Sequence, residues 1–396
     1  MSPISRKSPL YLAFPTLMAS LGWAAPALAE EGGWSLKPRG RIQLDAGVVE
    51  ASDGVEAAAP GALDFDAEVR RLYLGVDGRM PGDLGFRIEG DFSGGTFTWT
   101  DTYLTWDPSK RLNLTLGNQK PFWGLEELTS DLFPSFMERA AAHTAFGNER
   151  RLGLSATYTT GDVMMQGGAF LDDLDSIFDG TDNGHSFDAR AVYMPRLAGG
   201  QLHLGASAHY RELDGGTSVR YGTRPFLHTV DTKFVDTGKI DHAANERGYG
   251  LEFAYITGPF HVTGETRWQH VGREGGLPEP TFFGGYAELG YFLTKGDSRG
   301  YKGGIFQRTT PANPLGQGGF GALQLNLRYD YLDLDDAGIA GGRQDSYGVS
   351  LAWTPTAHTR FIANYARLQF DGAAIAADGS RSYGADAFGM RAQFDF

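Results

Sequence analysis

From Trp34 onward, apolar and polar residues alternate with a period of two in runs of about ten, the pattern of a transmembrane β-strand. Ile42, Leu44, Ala46 and Val48 alternate with Arg41, Gln43, Asp45 and Gly47. Leu72, Leu74 and Val76 alternate with Arg71, Tyr73 and Asp77, and Leu84, Phe86, Ile88 and Phe92 with Arg87, Glu89 and Asp91. A fourth run, Phe97 to Trp106, is less regular, and a fifth spans Arg111 to Gln119. Alternation then stops until Arg151. Later runs cover 151–158, 163–171, 187–194, 202–211, 249–256, 260–269, 282–293, 323–332, 347–353, 361–368 and 388–396, sixteen in all. Short gaps (80–83, 107–110, 160–162, 195–200, 257–259, 354–358) alternate with long ones (50–65, 120–150, 172–186, 212–248, 270–281, 333–345, 370–386). This predicts an all-β fold, a 16-stranded antiparallel transmembrane β-barrel with short periplasmic turns and longer outer loops. Two gaps break the rule. The outer gap at Ser93 to Thr96 is short, and 295–320 is long although its parity is periplasmic.

A soluble β-sandwich binding protein would show the same alternation, with the apolar face inside. Sixteen strands at hairpin spacing exceed an ordinary sandwich domain. The last run, Phe388 to Phe396, carries aromatics on one face and stops at Phe396, resembling the assembly signal of outer-membrane barrels; Phe394 and Phe396 are its candidate residues. Arg6 and Lys7, an apolar run from Leu10 to Trp23 and the small-residue site Ala27-Leu28-Ala29 read as a secretory signal over residues 1–29, leaving 30–396 as the barrel. The expected location is the bacterial outer membrane, with outer-membrane lipid, lipopolysaccharide and the barrel assembly machinery as partners.

Composition narrows the function. The 396 residues contain no cysteine, which removes disulfides and thiolate metal sites. The formal charge of −13 argues against nucleic acid as a partner. No G-x-S-x-G, H-E-x-x-H or P-loop pattern points to an enzyme or a cofactor, and an outer-membrane phospholipase would need a Ser–His pair that the sequence does not present. His203 and His209 share a strand face but lie roughly 20 Å apart along it, too far for one metal, and are expected to line the bore. The acidic stretch Asp172, Asp173, Asp175, Asp179 and Asp182 lacks calcium-loop spacing and reads as a solvated outer loop or a weak divalent-cation site. Asp333, Asp335 and Asp336 read alike.

With the polar face inward, Arg41, Arg71, Arg87, Arg111, Arg151, Arg190, Arg211, Arg267, Arg328 and Arg391 face the bore. Such guanidiniums could relay an anion. Asp45, Asp77, Glu89, Asp91, Asp188, Glu252, Glu265, Glu288, Asp330 and Asp395 share that face, so wall pairing competes with this reading.

The interruption Gly117 to Arg151 holds Phe122, Trp123, Pro134 and a helix-compatible segment, Phe136 to Ala145. It is too apolar for disorder and is expected to fold into the bore. Within it, Gly117-Asn-Gln119-Lys120-Pro121-Phe122, Glu126-Glu127-Leu128-Thr129-Ser130 and Phe136-Met137-Glu138-Arg139 resemble the constriction-loop region of the phosphate-selective porin O and P family. Tyr291-Phe292-Leu293-Thr294, Tyr301-Lys302-Gly303-Gly304 and the run Gly321 to Leu334 form a second block; Thr294-Lys295-Gly296 stands where the family has Thr-Gly-Glu.

The resemblance implies a homotrimer of barrels admitting small anions such as phosphate, without a cofactor, narrowed by loops from both sides. By position, Lys120, Arg139 and Arg150 belong to the constriction loop and Arg151 to the strand leaving it. Arg220, Arg224 and Lys233 belong to the long outer loop, and Lys295, Lys302 and Arg308 to a periplasmic insert at about 295–320. Two basic groups (Lys120, Arg139) against five acids (Glu126, Glu127, Asp131, Glu138, Glu149) occupy 119–149. Either most of those acids neutralise arginines at the wall, or the channel is a general, weakly selective porin.

Overall fold

The computed structural model describes residues 33–181 and 184–396; the expected signal segment 1–29, and Asp182, lie outside the described residues. Sixteen antiparallel strands close into one barrel. They are β1 (Ser35–Glu50), β2 (Asp66–Met80), β3 (Leu84–Asp91), β4 (Thr98–Ser109), β5 (Leu112–Gln119), β6 (Arg151–Thr160), β7 (Val163–Phe170) and β8 (Gly184–Tyr193). Then come β9 (Gly200–Leu213), β10 (Ala243–Thr257), β11 (Phe260–Arg273), β12 (Thr281–Phe292), β13 (Ala322–Asp336), β14 (Ile339–Thr356), β15 (Thr359–Asp371) and β16 (Tyr383–Asp395). Each strand pairs with its sequence neighbours, and β1 pairs with β16 from Arg41↔Asp395 to Glu50↔Asp386. The seam is finished by Phe396, whose N–H donates to the Gly40 carbonyl (3.0 Å) while the Gly40 N–H donates to its carbonyl (3.2 Å). The Phe396 ring fills the space a side chain at position 40 would need.

The two faces are inverted relative to a soluble sandwich. On β13, Leu327 is 49% exposed on the outside while Arg328 is 7% exposed inside. Leu116, Leu154, Met165, Leu251, Tyr347 and Met390 are likewise exposed outward, and Gln43, Arg190, His203, Glu252, Arg267 and Ser350 are buried inward. A lipid-facing wall with a polar lumen accounts for both sets.

Three expectations need correction. Arg111 sits in the exposed turn between β4 and β5, not in the bore. The gap 333–345 is no loop: Ala337 and Gly338, both with positive φ, form a two-residue turn, and their backbone twist lets β13 and β14 pair out to Asp336↔Ile339. The acidic stretch 172–182 is not simply solvated. Asp172 is buried beside Arg151 and Arg211, and Asp173 accepts the Ser176 N–H (2.9 Å) to cap the short helix Leu174–Asp179. Among the described residues no cluster of His, Asp and Glu could hold a metal.

Three segments fill the barrel. The loop 120–150 enters between β5 and β6 and carries the helical turns Leu125–Leu128 and Ala141–Ala145. The outer loop 214–242 folds over the mouth; its Tyr221, Leu227, Phe234 and Ile240 share an apolar cluster with Met137, Ala141 and Phe146 of the first loop and with Phe282, Leu332 and Leu368 of the wall. From the periplasmic side, the insert 293–321 sends up the hairpin Gly300–Lys302/Ile305–Gln307, whose Phe306 packs on Leu125, Ala254 and Ile256. This accounts for the parity anomaly: the long gap folds back into the lumen as a hairpin.

Across the seam, Arg391 of β16 grips Asp45 of β1 through two hydrogen bonds (2.7 and 2.6 Å) and reaches Glu138 (2.8 Å) and the Met137 carbonyl (2.6 Å) of the loop. Truncating one partner of a buried pair strands the other charge. Arg391→Met is therefore expected to destabilise the barrel by about 3–5 kcal/mol, read as a lower urea midpoint in detergent.

Candidate functional site

The first loop is bound to one side of the barrel by its main chain. Glu265 of β11 accepts the Leu125 and Glu126 N–H groups (2.8 and 2.7 Å). Arg267 donates to the Trp123 carbonyl (2.5 Å) and stacks on the Trp123 ring. Arg360 reaches the Leu132 carbonyl, Gln43 the Asp131 carbonyl, and Ser350 and Asn326 the Ser135 carbonyl. Loop acids turn to the same wall, Glu126 meeting Arg328 (2.6 Å) and Glu138 meeting Arg391, with Glu138 also reaching Arg70 of β2. The insert adds Arg190 to the Gly304 carbonyl (2.8 Å) and Tyr301 to His203 (2.6 Å). His203 and His209 thus face inward, held by Glu252 and Asp188.

This crowding leaves space along β1–β6. An outer chamber of about 410 Å³ is bordered by Arg70, Arg71, Tyr73, Arg139, Glu149 and His228, among others. A periplasmic chamber of about 730 Å³ is bordered by Lys37, Arg39, Arg41, Arg87, Tyr103 and Arg308, among others. Lys120, Asp131 and Arg150 border both and mark their junction.

The charges around the junction form a ladder in which every carboxylate is shared by two cations. Asp77 meets Arg39 and Arg87, and Glu89 meets Arg39 and Arg41. Asp101 meets Arg87 and Arg150 (2.5 Å), and Asp131 meets Arg41 and Arg71 (2.6 Å to the latter). Glu127 meets Lys120 (3.4 Å) and Arg139 (3.7 Å). Seven cations (Arg39, Arg41, Arg71, Arg87, Lys120, Arg139, Arg150) thus face five acids. The passage keeps a positive excess although the chain and the loop are acidic.

Lys120 also donates to the Glu127 carbonyl (2.6 Å). Burial and then Arg139 push its ammonium down to about 8, against the pull of Glu127. Burial also works against the charge of Glu127, yet Arg139 and Lys120 hold it down at about 2. Asp131 overcomes its burial in the same way through Arg41 and Arg71, and lies well below the carboxylate range.

Of the residues expected to serve the pore, Lys120, Arg139, Arg150 and Arg308 border the chambers. Arg308 is fixed by Asp395 and lies over the Phe133 ring. The others border neither chamber. Arg151 is drawn to Asp172 (2.5 Å), Arg220 to Asp236 (2.7 Å) and Arg224 to Asp231 (2.6 Å) in the outer loop; Lys233 is half-buried there, and Lys302 is exposed at the tip of the insert hairpin. Arg39 and Asp101 are additional ladder members, and Arg70 is an additional charged group on the outer chamber. Arg39 continues the face of Arg41 and is readable by extending that alternation. Arg70 and Asp101 lie beside irregularities of strand register, Gln43/Leu44 and Ile88/Gly90, which alternation does not reveal.

The sequence profile described as "Phosphate-selective porin O and P" matches residues 36–396. The chain belongs to that family. A Caulobacter vibrioides protein, known only as "Uncharacterized protein", is 45% identical, covering 94% of this chain and 76% of its own. Porin O of Pseudomonas aeruginosa is 27% identical, over 77% and 74%. An anion-selective porin from Comamonas acidovorans superposes with a TM-score of 0.58 at 14% identity, over 92% of this chain and all 100% of that one, a likeness of fold. Family and fold are those of outer-membrane porins, and this places the chain in the bacterial outer membrane.

Deprotonation of Lys120 removes one cation from the junction. As pH rises from about 6 to about 9, anion preference is expected to fall. The Lys120→Arg channel should keep its preference over that range, because guanidinium stays charged. Reversal potentials at each pH read both.

Proposed function

We propose that this porin passes small anions, phosphate and related oxyanions among them, by passive diffusion along the β1–β6 wall. The observation that carries the reading is the shared-carboxylate ladder, whose positive excess lies where the two chambers meet. Guanidinium forks suit oxyanions, and carboxylates already engaged by two cations compete weakly for an incoming anion. An ion would find several weak sites in series, and each site holds it loosely enough to release it. Membership of a family described as phosphate-selective, and a fold shared with an anion-selective porin of Comamonas acidovorans, are consistent with anion passage. The second reading, a general and weakly selective porin, is favoured by the small size of that excess and by exposed Glu149 in the outer chamber. A trimer is the assembly the family resemblance implies. The terminal Phe394 and Phe396, both exposed on the outer face of β16, are our candidates for the assembly signal.

Planar-bilayer recording in a KCl gradient tests the reading. It should give an anion-selective reversal potential and chloride current inhibited by added phosphate; a cation-selective potential without phosphate inhibition leaves the general porin. Lys120→Glu should lower anion preference well beyond Lys110→Glu, since Lys110 is exposed at the β4–β5 turn. Equal effects would remove Lys120 from the constriction.

A further inference from the structure

A guanidinium is always charged, so a buried one requires a counter-charge. Among the described residues, six of the nine buried arginines meet a carboxylate: Arg41, Arg71, Arg151, Arg190, Arg328 and Arg391. Arg267, Arg299 and Arg360 do not come within ion-pair distance of one. Arg267 is boxed in by the ring and carbonyl of Trp123 and by Gly124, with Glu265 close by. Arg299, from the insert, gives one hydrogen bond to Ser135 Oγ (3.1 Å) and lies over Phe306. Arg360, 6% exposed, gives one hydrogen bond to the Leu132 carbonyl (3.2 Å), and its Nε has no hydrogen-bond partner.

Of the three, Arg360 lines a small pocket. The pocket measures about 10 Å³ and lies between the tip of the constriction loop (Leu132, Phe133), the insert (Arg308, Thr309) and the periplasmic ends of β14–β16. Thr309, Thr354, Thr359 and Gln393 also line it, with the Gln393 amide engaged by the Leu132 carbonyl and Gln43. Its acid, Asp395, has both oxygens engaged by Arg308. The charged groups facing Arg360 from further off are Arg299 and Arg391, both repulsive, and Glu288, which is already engaged by Arg328 and His261. A space of this size admits about one water-sized sphere, so a tetrahedral oxyanion is too large for it, and a monatomic halide, slightly larger than water, enters as the lining side chains give way by a few tenths of an ångström.

We propose that this pocket binds a single halide ion, chloride under ordinary conditions. The ion neutralises Arg360 and ties the tip of the constriction loop to the periplasmic insert. The site borders the periplasmic chamber but is separate from the junction at Lys120, and it stands whichever way the permeation reading falls.

Two measurements on the purified full barrel test it. Crystals of the wild-type protein grown in sodium bromide should show an anomalous peak within hydrogen-bond distance of the Arg360 guanidinium. The thermal unfolding midpoint in detergent should rise saturably with bromide over gluconate at equal ionic strength, by on the order of a few degrees. Arg360→Gln, or Thr354→Val should the former fail to fold, should abolish that difference. No bromide peak, a tetrahedral oxyanion in its place, or a peak without any halide-specific stabilisation overturns the proposal.

Discussion

The interior of this barrel depends on the binding of the constriction loop's main chain by charged side chains of the wall. A segment of thirty-odd residues crossing a lumen must satisfy its amides and carbonyls away from bulk water. Glu265 accepts two consecutive N–H groups, while Arg267, Arg391 and Arg360 each donate to a loop carbonyl. Removing any of these groups would leave a buried peptide group of the loop without its partner, and removing Arg391 would also strand Asp45 and Glu138. Apolar packing of Ala141, Ala142 and Phe146 under the outer loop adds to the hold but does not set the loop's position.

That attachment determines where the channel is. The loop and the insert are held mainly on the side made by β8–β16, with Gln43 of β1 at its edge, so permeation is left to the β1–β6 side, where carboxylates are outnumbered. Selectivity then follows from an arrangement and not from composition. The loop's acids are divided between anchoring (Glu126, Glu138) and clamping two cations each (Glu127, Asp131), with Glu149 alone left exposed. A chain with a net charge of −13 can therefore present a cationic passage.

Much of the fold was legible because membrane strands obey a strict period of two and hairpin gaps alternate in length. Arg41, Arg190, Arg328 and Arg391 could be placed inside on parity alone. Parity failed where the backbone leaves the regular ladder. The irregularity at Gln43/Leu44 lets Arg70 as well as Arg71 reach loop acids, and the one at Ile88/Gly90 disrupts the fourth run and brings Asp101 to Arg150. Arg220 and Arg224 fall outside the passage for another reason. Their loop does fold over the mouth, but its apolar face points inward and the two arginines pair with their own loop's acids. The family resemblance located the two inserted segments; only the folded chain shows which acids each cation meets.

The absence of cysteine makes the most direct test straightforward. Single cysteines placed at Thr157 on the β6 wall and at Ser350 under the loop, each exposed to a charged methanethiosulfonate in a bilayer, report which side conducts. The account predicts rapid modification and a stepwise change in current for Thr157→Cys, which borders the periplasmic chamber, and none for Ser350→Cys, which is buried against the Ser135 carbonyl. Modification of Ser350→Cys with Thr157→Cys silent would contradict it.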